Sequence, residues 1–348
     1  MPSRAAINGS RNSGRYQWIK LNQILLRTIK MKKIILDVDT GVDDAIAIML
    51  GIGDPTIEII GITTVTGNVG VDRAFENSCR IVRYFGQEQK IPVYYGAREN
   101  LFERSVRAFE VHGEDGLNGM LPDLSYNNTK RPAITWLIEQ IKKFPNEITF
   151  VGTAPITNLA LAVKLAPEII PLIKEVILMT GAFEFPGNVT STAEFNAYAD
   201  PIALQIILDT GFQSLKLIGL DVTTKVLLSQ ESINKIQDPE TCDFLLALTS
   251  NYRKLYQRLY NLNGCAMHDP LALGIAIDAS FCGFEHVQVS MELKGEHTYG
   301  QTVLNRHTKN KNALVATSVE TERVINYLVS QLNRLKIVKT KREITKLH

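Results

Sequence analysis

Short apolar runs rich in β-branched residues recur along the chain at 34–38, 57–65, 148–151, 176–179 and 215–220. They are nearly continuous rather than alternating, as strands buried on both faces must be. Helical patterns fall between them at 43–51, 71–85, 132–143, 156–165 and 201–208. This rhythm predicts an α/β fold, an open and mostly parallel sheet with helices on both faces and right-handed crossovers. Later the pattern changes. Residues 284–293 alternate, and 314–319 do so more weakly, so a small antiparallel addition is expected near the C-terminus. Val324, Leu328 and Leu332 repeat at helical spacing and predict a closing helix over 320–335. A Leu- and Tyr-rich stretch at 241–262 reads as a further helix. No repeat or linker interrupts 31–335, which is expected to form one domain.

Charge sharpens these boundaries. The chain has 348 residues, 45% of them apolar, enough for a large core. Residues 1–33 carry eight Lys/Arg and no acid, and residues 334–348 carry six Lys/Arg and one Glu. The formal total is +2, so the stretch between them stands at −11. An acidic core argues against nucleic acid as a partner, since phosphates need a basic face. The basic ends read as solvated tails. Residues 1–30 are Ser-, Arg- and Asn-containing, with a short amphipathic piece around Trp18. They suit a transit peptide or, the preferred reading, a mis-called start, disordered ahead of a natural beginning at Met31-Lys-Lys-Ile. Residues 336–348 form the C-terminal tail. Cys79, Cys242, Cys265 and Cys282 are scattered, a pattern of reduced thiols in a cytoplasmic protein. The Asn-x-Ser/Thr triplets at Asn8, Asn127 and Asn188 then carry no glycan. No apolar run has transmembrane length, so no membrane partner is expected.

The densest chemistry is Asp37-Val-Asp39-Thr-Gly-Val-Asp43-Asp44, at the carboxyl end of the first expected strand. Open α/β sheets bind ligands at such ends. Asp43 and Asp44 could serve as ordinary acids in a helix first turn. Asp37 and Asp39, on the strand side, have no such explanation. Four carboxylates so close repel one another, and a hard divalent cation is the economical way to offset them. His268-Asp269-Pro270 follows. Asp at an N-cap with Pro after it is a common helix start, used also at Asp200-Pro201. The neighbouring His268 adds a group able to move a proton near neutral pH. The loop 180–200 is too long for a plain connector, and its Asn188, Glu194 and Asn196 suit a polyhydroxylated ligand. His112, in His112-Gly113-Glu114-Asp115-Gly116, sits at a glycine-marked turn that faces either ligand or solvent.

Asp37-Val-Asp39-Thr-Gly-Val-Asp43-Asp44-Ala resembles the amino-terminal signature of the inosine–uridine nucleoside hydrolase family. The resemblance extends over 31–335. It continues in order through Thr63-Thr64-Val65-Thr66-Gly67-Asn68, His112-Gly113, Thr153-Ala-Pro-Ile-Thr-Asn158, Met179-Thr-Gly181, Gly187-Asn188, Glu194-Phe-Asn196, Leu220-Asp-Val-Thr223 and His268-Asp269-Pro270. One position departs: Thr40 stands where the family often has Pro, in the turn rather than among metal ligands. The resemblance implies a Rossmann-like nucleoside hydrolase fold and Ca²⁺-dependent cleavage of ribonucleosides to base and ribose, in nucleoside salvage. It implies metal ligands at Asp39, Asp44, Asp269 and the carbonyl of Thr153, with the cation also touching the ribose and a water. Ribose-binding residues map to Asp43, Asn68, Met179, Asn188, Glu194 and Asn196, with His112 near the base. Asp39 is implied as general base and His268 as the acid serving the leaving base. A homodimer or homotetramer is implied, and His268 suggests the branch that accepts inosine and uridine. Tyr252, Tyr256 and Tyr260 could supply a mobile lid.

Two other readings start from the same residues. A haloacid-dehalogenase-type Mg²⁺ phosphatase also opens with Asp-x-Asp at a strand end, but Gly41 stands where its Thr is expected. A non-catalytic nucleoside-binding relative should have lost ligand or acid residues, and none is lost here.

Overall fold

The computed structural model describes residues 31–101, 107–121 and 129–338. The extension 1–30 with Trp18 and Asn8, residue Asn127 and the tail from residue 339 lie outside them. In chain order the strands are β1 (Lys32–Val38), β2 (Ile57–Thr64), β3 (Val93–Tyr95), β4 (Ile148–Gly152), β5 (Glu175–Met179) and β6 (Leu215–Ile218). They continue as β7 (Leu227–Leu228), β8 (Cys265–Ala266), β9 (Cys282–Met291), β10 (Thr302–Asn305) and β11 (Ala313–Val319). Nine of them form one sheet in the order β10-β9-β11-β6-β5-β4-β1-β2-β3, while β7 and β8 pair separately. From β11 to β3 the neighbours run parallel. β9 and β10 form the antiparallel addition. The open, mostly parallel α/β sheet expected from the apolar runs is therefore present.

The order of the strands places the site. The chain runs β1, β2, β3 outward on one side, then returns to lay β4 on the other side of β1. Asp37 pairs in register with Gly152, so the loops after β1 and β4 leave the sheet side by side and diverge. That crevice is a topological switch point, where doubly wound sheets hold their ligands.

Each face of the sheet carries its own core. Ile34, Leu36 and Val38 point to one, which also holds the helices Val42–Gly53, His268–Ile277 and Thr321–Leu332. Ile35 points to the other, beneath Ala133–Lys143, Thr157–Leu165 and Pro201–Asp209. This alternation is the two-residue period of a strand. The helix Val42–Gly53 is buried on nearly every side, which is why its sequence lacks an amphipathic stripe.

Three local expectations are corrected. The helix expected over 241–262 is two helices, Pro239–Leu248 and Ser250–Tyr260, separated at Thr249. The Thr249 hydroxyl donates back to the Leu245 carbonyl over 2.7 Å, competing with the helix ladder. The expected strand 215–220 stops at Ile218, because Gly219 turns the chain into the short helix Leu220–Thr223. Asp269 is not an N-cap. Its helix already starts at His268, after Met267, and no side chain caps it. Asp200, in the other Asp-Pro pair, does cap its helix by accepting from the Ala203 amide.

Candidate active site

The acid cluster is built on the turn after β1. Gly41 occupies the N-cap of the helix Val42–Gly53, and its amide donates to Asp44 Oδ2 over 2.9 Å. A Cβ on Gly41 would lie 2.7 Å from His112 Nδ1, so the ring of His112 occupies the space of a side chain there. That Nδ1 accepts from the Val42 amide over 3.0 Å. A backbone amide only donates, so neutral His112 carries its proton on Nε2. Burial, with His268 adding to it, pushes His112 down to about 3 and keeps the ring neutral.

Asp39 is held from the β2 side. The Asn68 amide donates to its Oδ2 over 2.6 Å and Asn68 Nδ2 to its Oδ1 over 2.9 Å. Asp44 Oδ1 accepts from the Thr153 hydroxyl over 2.8 Å, which ties the loops after β1 and β4 together. Asp37 stands behind the others. Its Oδ1 accepts from Thr63 Oγ1 over 2.5 Å and Asn158 Nδ2 over 2.7 Å, while its Oδ2 has no partner.

All these carboxyls are displaced upward. Burial and then the charge of Asp44 push Asp43 up to about 7. Burial pushes Asp37 to about 7 against the hydrogen bonds of Thr63 and Asn158. Burial and neighbouring carboxylates raise Asp39 and Asp269 well above the ordinary range, and burial raises Asp44. Oxygens of Asp43, Asp44 and Asp269 lie within 4.8 Å of one another, and Asp43 Oδ1 is buried without a hydrogen-bond partner. An all-oxygen set of this kind fits a hard cation. Asp39 lies outside that trio, and each of its oxygens accepts from Asn68 while keeping a second lone pair.

Asn188, Glu194 and Asn196, three of the residues expected at the ribose, come from the long loop, which ends in the short helix Phe195–Ala199. Glu194 caps that helix, accepting from the amides of Asn196 and Ala197, and also accepts from Gly181. Burial raises its pKa against those three hydrogen bonds. Asn196 Nδ2 donates to the carbonyls of Thr153 and Met179, each over 2.9 Å. Its Oδ1 is left as an acceptor. Asn188 Oδ1 accepts from the Phe195 amide, which leaves its Nδ2 as a donor.

One cavity of about 340 Å³ gathers these groups. Asp43, Asn68, His112, Thr153, Met179, Asn188, Glu194, Asn196, His268 and Asp269, all read from the sequence, line it. Asp39 and Asp44 lie behind the wall, fully buried. His268 is buried, and its pKa is pushed down to about 4 by that burial. Its Nε2 lies 3.0 Å from the Tyr256 hydroxyl. Tyr252, Tyr256 and Tyr260 form an edge-to-face ladder along the helix Ser250–Tyr260 and line the cavity with Phe195. Their i, i+4, i+8 spacing is visible in the sequence, but only the fold shows that this face meets His268. Arg107 at the cavity edge was missed, as nothing near it in sequence marks it. Trp136 stacks on Tyr94, and neither lines the cavity.

Residues 34–326 match the family model for inosine-uridine preferring nucleoside hydrolases. The chain belongs to that family. It is 34% identical over 312 residues to the inosine-uridine preferring nucleoside hydrolase of Crithidia fasciculata, a match covering 87% of this chain and 98% of that protein. It is 31% identical to the pyrimidine-specific ribonucleoside hydrolase of Escherichia coli, covering 84% and 95% of the two chains. The structure of the purine-preferring ribonucleoside hydrolase from Gardnerella vaginalis superimposes with a TM-score of 0.82 at 32% identity, covering 87% and 98%. This nucleoside hydrolase family member is thus an N-glycosyl hydrolase acting on ribonucleosides. The phosphatase reading and the non-catalytic reading find no support in these relatives. No helix among the described residues is long and apolar enough to cross a membrane.

Proposed function

We propose that the protein is a Ca²⁺-dependent hydrolase of inosine- and uridine-type ribonucleosides that frees base and ribose for purine and pyrimidine salvage. One observation carries this reading: the buried acid cluster, the Asn188, Glu194 and Asn196 loop and His268 converge on a single cavity. A sugar with three hydroxyls needs that density of donors and acceptors, and a departing base needs a proton source beside it.

Breaking the bond from C1′ to the base nitrogen sends its electron pair to the base and leaves positive charge on the ribose. The carboxylates of Asp43 and Glu194 at the cavity wall, with Asp39 behind it, favour that charge. Asp39 takes the proton of the attacking water, which requires its ionised form, the form that a bound cation would favour. His268 serves the base on the other side. Its ring rests neutral, and negative charge growing on the base raises its hold on a second proton, taken from solvent, which it then gives to the departing nitrogen. His112 Nε2–H is a fixed donor for an acceptor atom of the base. Met179, at the end of β5, and Asn68 close the sugar side. Ca²⁺ held by Asp39, Asp44, Asp269 and the Thr153 carbonyl would supply polarisation of a water and a grip on ribose hydroxyls.

We further infer one domain over 31–335, since both cores share one sheet, and a cytoplasmic homodimer or homotetramer, on the family resemblance. A nucleoside panel tests the activity. Equal amounts of ribose and base are expected from inosine and uridine, and no ribose from any ribonucleoside would refute the proposal.

A further inference from the structure

The Leu220-Asp-Val-Thr223 segment matches the family but has no part in the ribose or metal sets. The structure puts its last residue against the acid. Thr223 ends the short helix Leu220–Thr223, and its hydroxyl lies 2.7 Å from His268 Nδ1. Both residues are buried, Thr223 completely. On the other edge of the ring, Nε2 faces the Tyr256 hydroxyl at the cavity wall.

Either group could donate across the 2.7 Å contact, and the surroundings decide which does. Among the described residues, His268 Nδ1 is the one hydrogen-bond partner of the Thr223 hydroxyl. If Nδ1–H donated, the Thr223 O–H would be buried without an acceptor, the costlier way to leave a polar group. If the hydroxyl donates, both atoms are satisfied, and neutral His268 carries its proton on Nε2. The Tyr256 hydroxyl, which also meets that of Tyr252, accepts from Nε2–H when its own O–H turns to the cavity.

We propose that Thr223 is a positioning residue that fixes His268 as the Nε2–H tautomer and holds that edge of the ring toward the leaving base. Without the hydroxyl the ring can turn its lone pair to the base, which repels a nitrogen gaining electrons. No proton leaves the threonine: its hydroxyl stays whole and only orients the ring. This rests on the reading of His268 as the group serving the base.

The test compares Thr223→Val, which keeps the shape, with Thr223→Ser, which keeps the hydroxyl. Inosine and a 4-nitrophenyl riboside are the substrates, the latter needing no acid for departure. Thr223→Val should lower kcat on inosine by about ten-fold, the order of one hydrogen bond. KM for inosine and turnover of the nitrophenyl riboside should change less than about two-fold. Thr223→Ser should recover most of the loss. Nitrogen-15 NMR of labelled histidine, assigned with His268→Gln, should show unprotonated Nδ1 in the parent and a tautomer mixture in Thr223→Val. Equal losses on both substrates, unchanged inosine turnover, or a protonated Nδ1 in the neutral parent would overturn the assignment. His268→Ala separates the two levels: if it leaves inosine turnover intact, the reading of His268 fails, whereas damage by His268→Ala without damage by Thr223→Val fails only the role of Thr223.

Discussion

The Asn68 amide donates to Asp39 Oδ2 over 2.6 Å, and this contact exists because residue 67 has no side chain. A Cβ there would lie 1.9 Å from the same oxygen and 2.7 Å from the carboxyl carbon. β2 thus delivers Asn68 onto the carboxylate that β1 presents, and the glycine is the hinge of that approach. Gly67→Ala must therefore push Asp39 from its place. Steady-state kinetics on inosine should show a loss of about 10²-fold in kcat/KM, as a displacement of about 1 Å at a reacting group can cause. The melting temperature should fall only slightly. Near-parental kcat/KM would mean that the carboxylate position does not matter.

His268→Ala tests the other side of the bond. Inosine hydrolysis should drop by about 10²- to 10⁴-fold, the usual worth of one proton-transfer group. A riboside with an activated leaving group should lose far less. Parallel kinetics on the two substrates decide the matter, and equal losses on both would remove His268 from the role of acid.

Much of this arrangement was legible before the fold. The apolar runs located β1, β2, β4, β5 and β6 because strands buried on both faces leave continuous runs in sequence. β3, with three residues, and the two-residue strands β7 and β8 are too short for any period to register. The acids of the cluster were visible as a local pattern, and the fold explains the one that had no role. Asp37 anchors Thr63 and Asn158, from β2 and from the helix after β4, across the switch point. Contacts between residues far apart in sequence were not legible. Neither the 2.7 Å contact of Thr223 with His268 nor the placement of Tyr256 beside it follows from any spacing. The Asp-Pro pairs make the same point, since Asp200 caps a helix while Asp269 turns to the other acids.

The displaced carboxyls set the sign of a pH effect. Asp37 and Asp43 stand at about 7 in the cation-free fold, against 3.8 ordinarily. Between those values the folded chain binds more protons than the unfolded one, so stability falls as pH rises. A bound cation favours the ionised forms and removes this penalty. Thermal unfolding of chelated protein should give a melting temperature that falls from about pH 5 to about pH 7.5. Added Ca²⁺ should raise it more at the upper pH than at the lower. A rise with pH in the chelated protein would contradict the upward displacement of these groups.

The central claim is that the acids at the switch point hold a cation needed to split ribonucleosides. Ribose release from inosine and uridine, followed before chelation, after it and after Ca²⁺ is restored, tests this most directly, with bound metal counted by elemental analysis at each stage. Activity should vanish with the metal and return with Ca²⁺ as the site refills. Full ribose release from protein that elemental analysis finds free of metal would contradict the account.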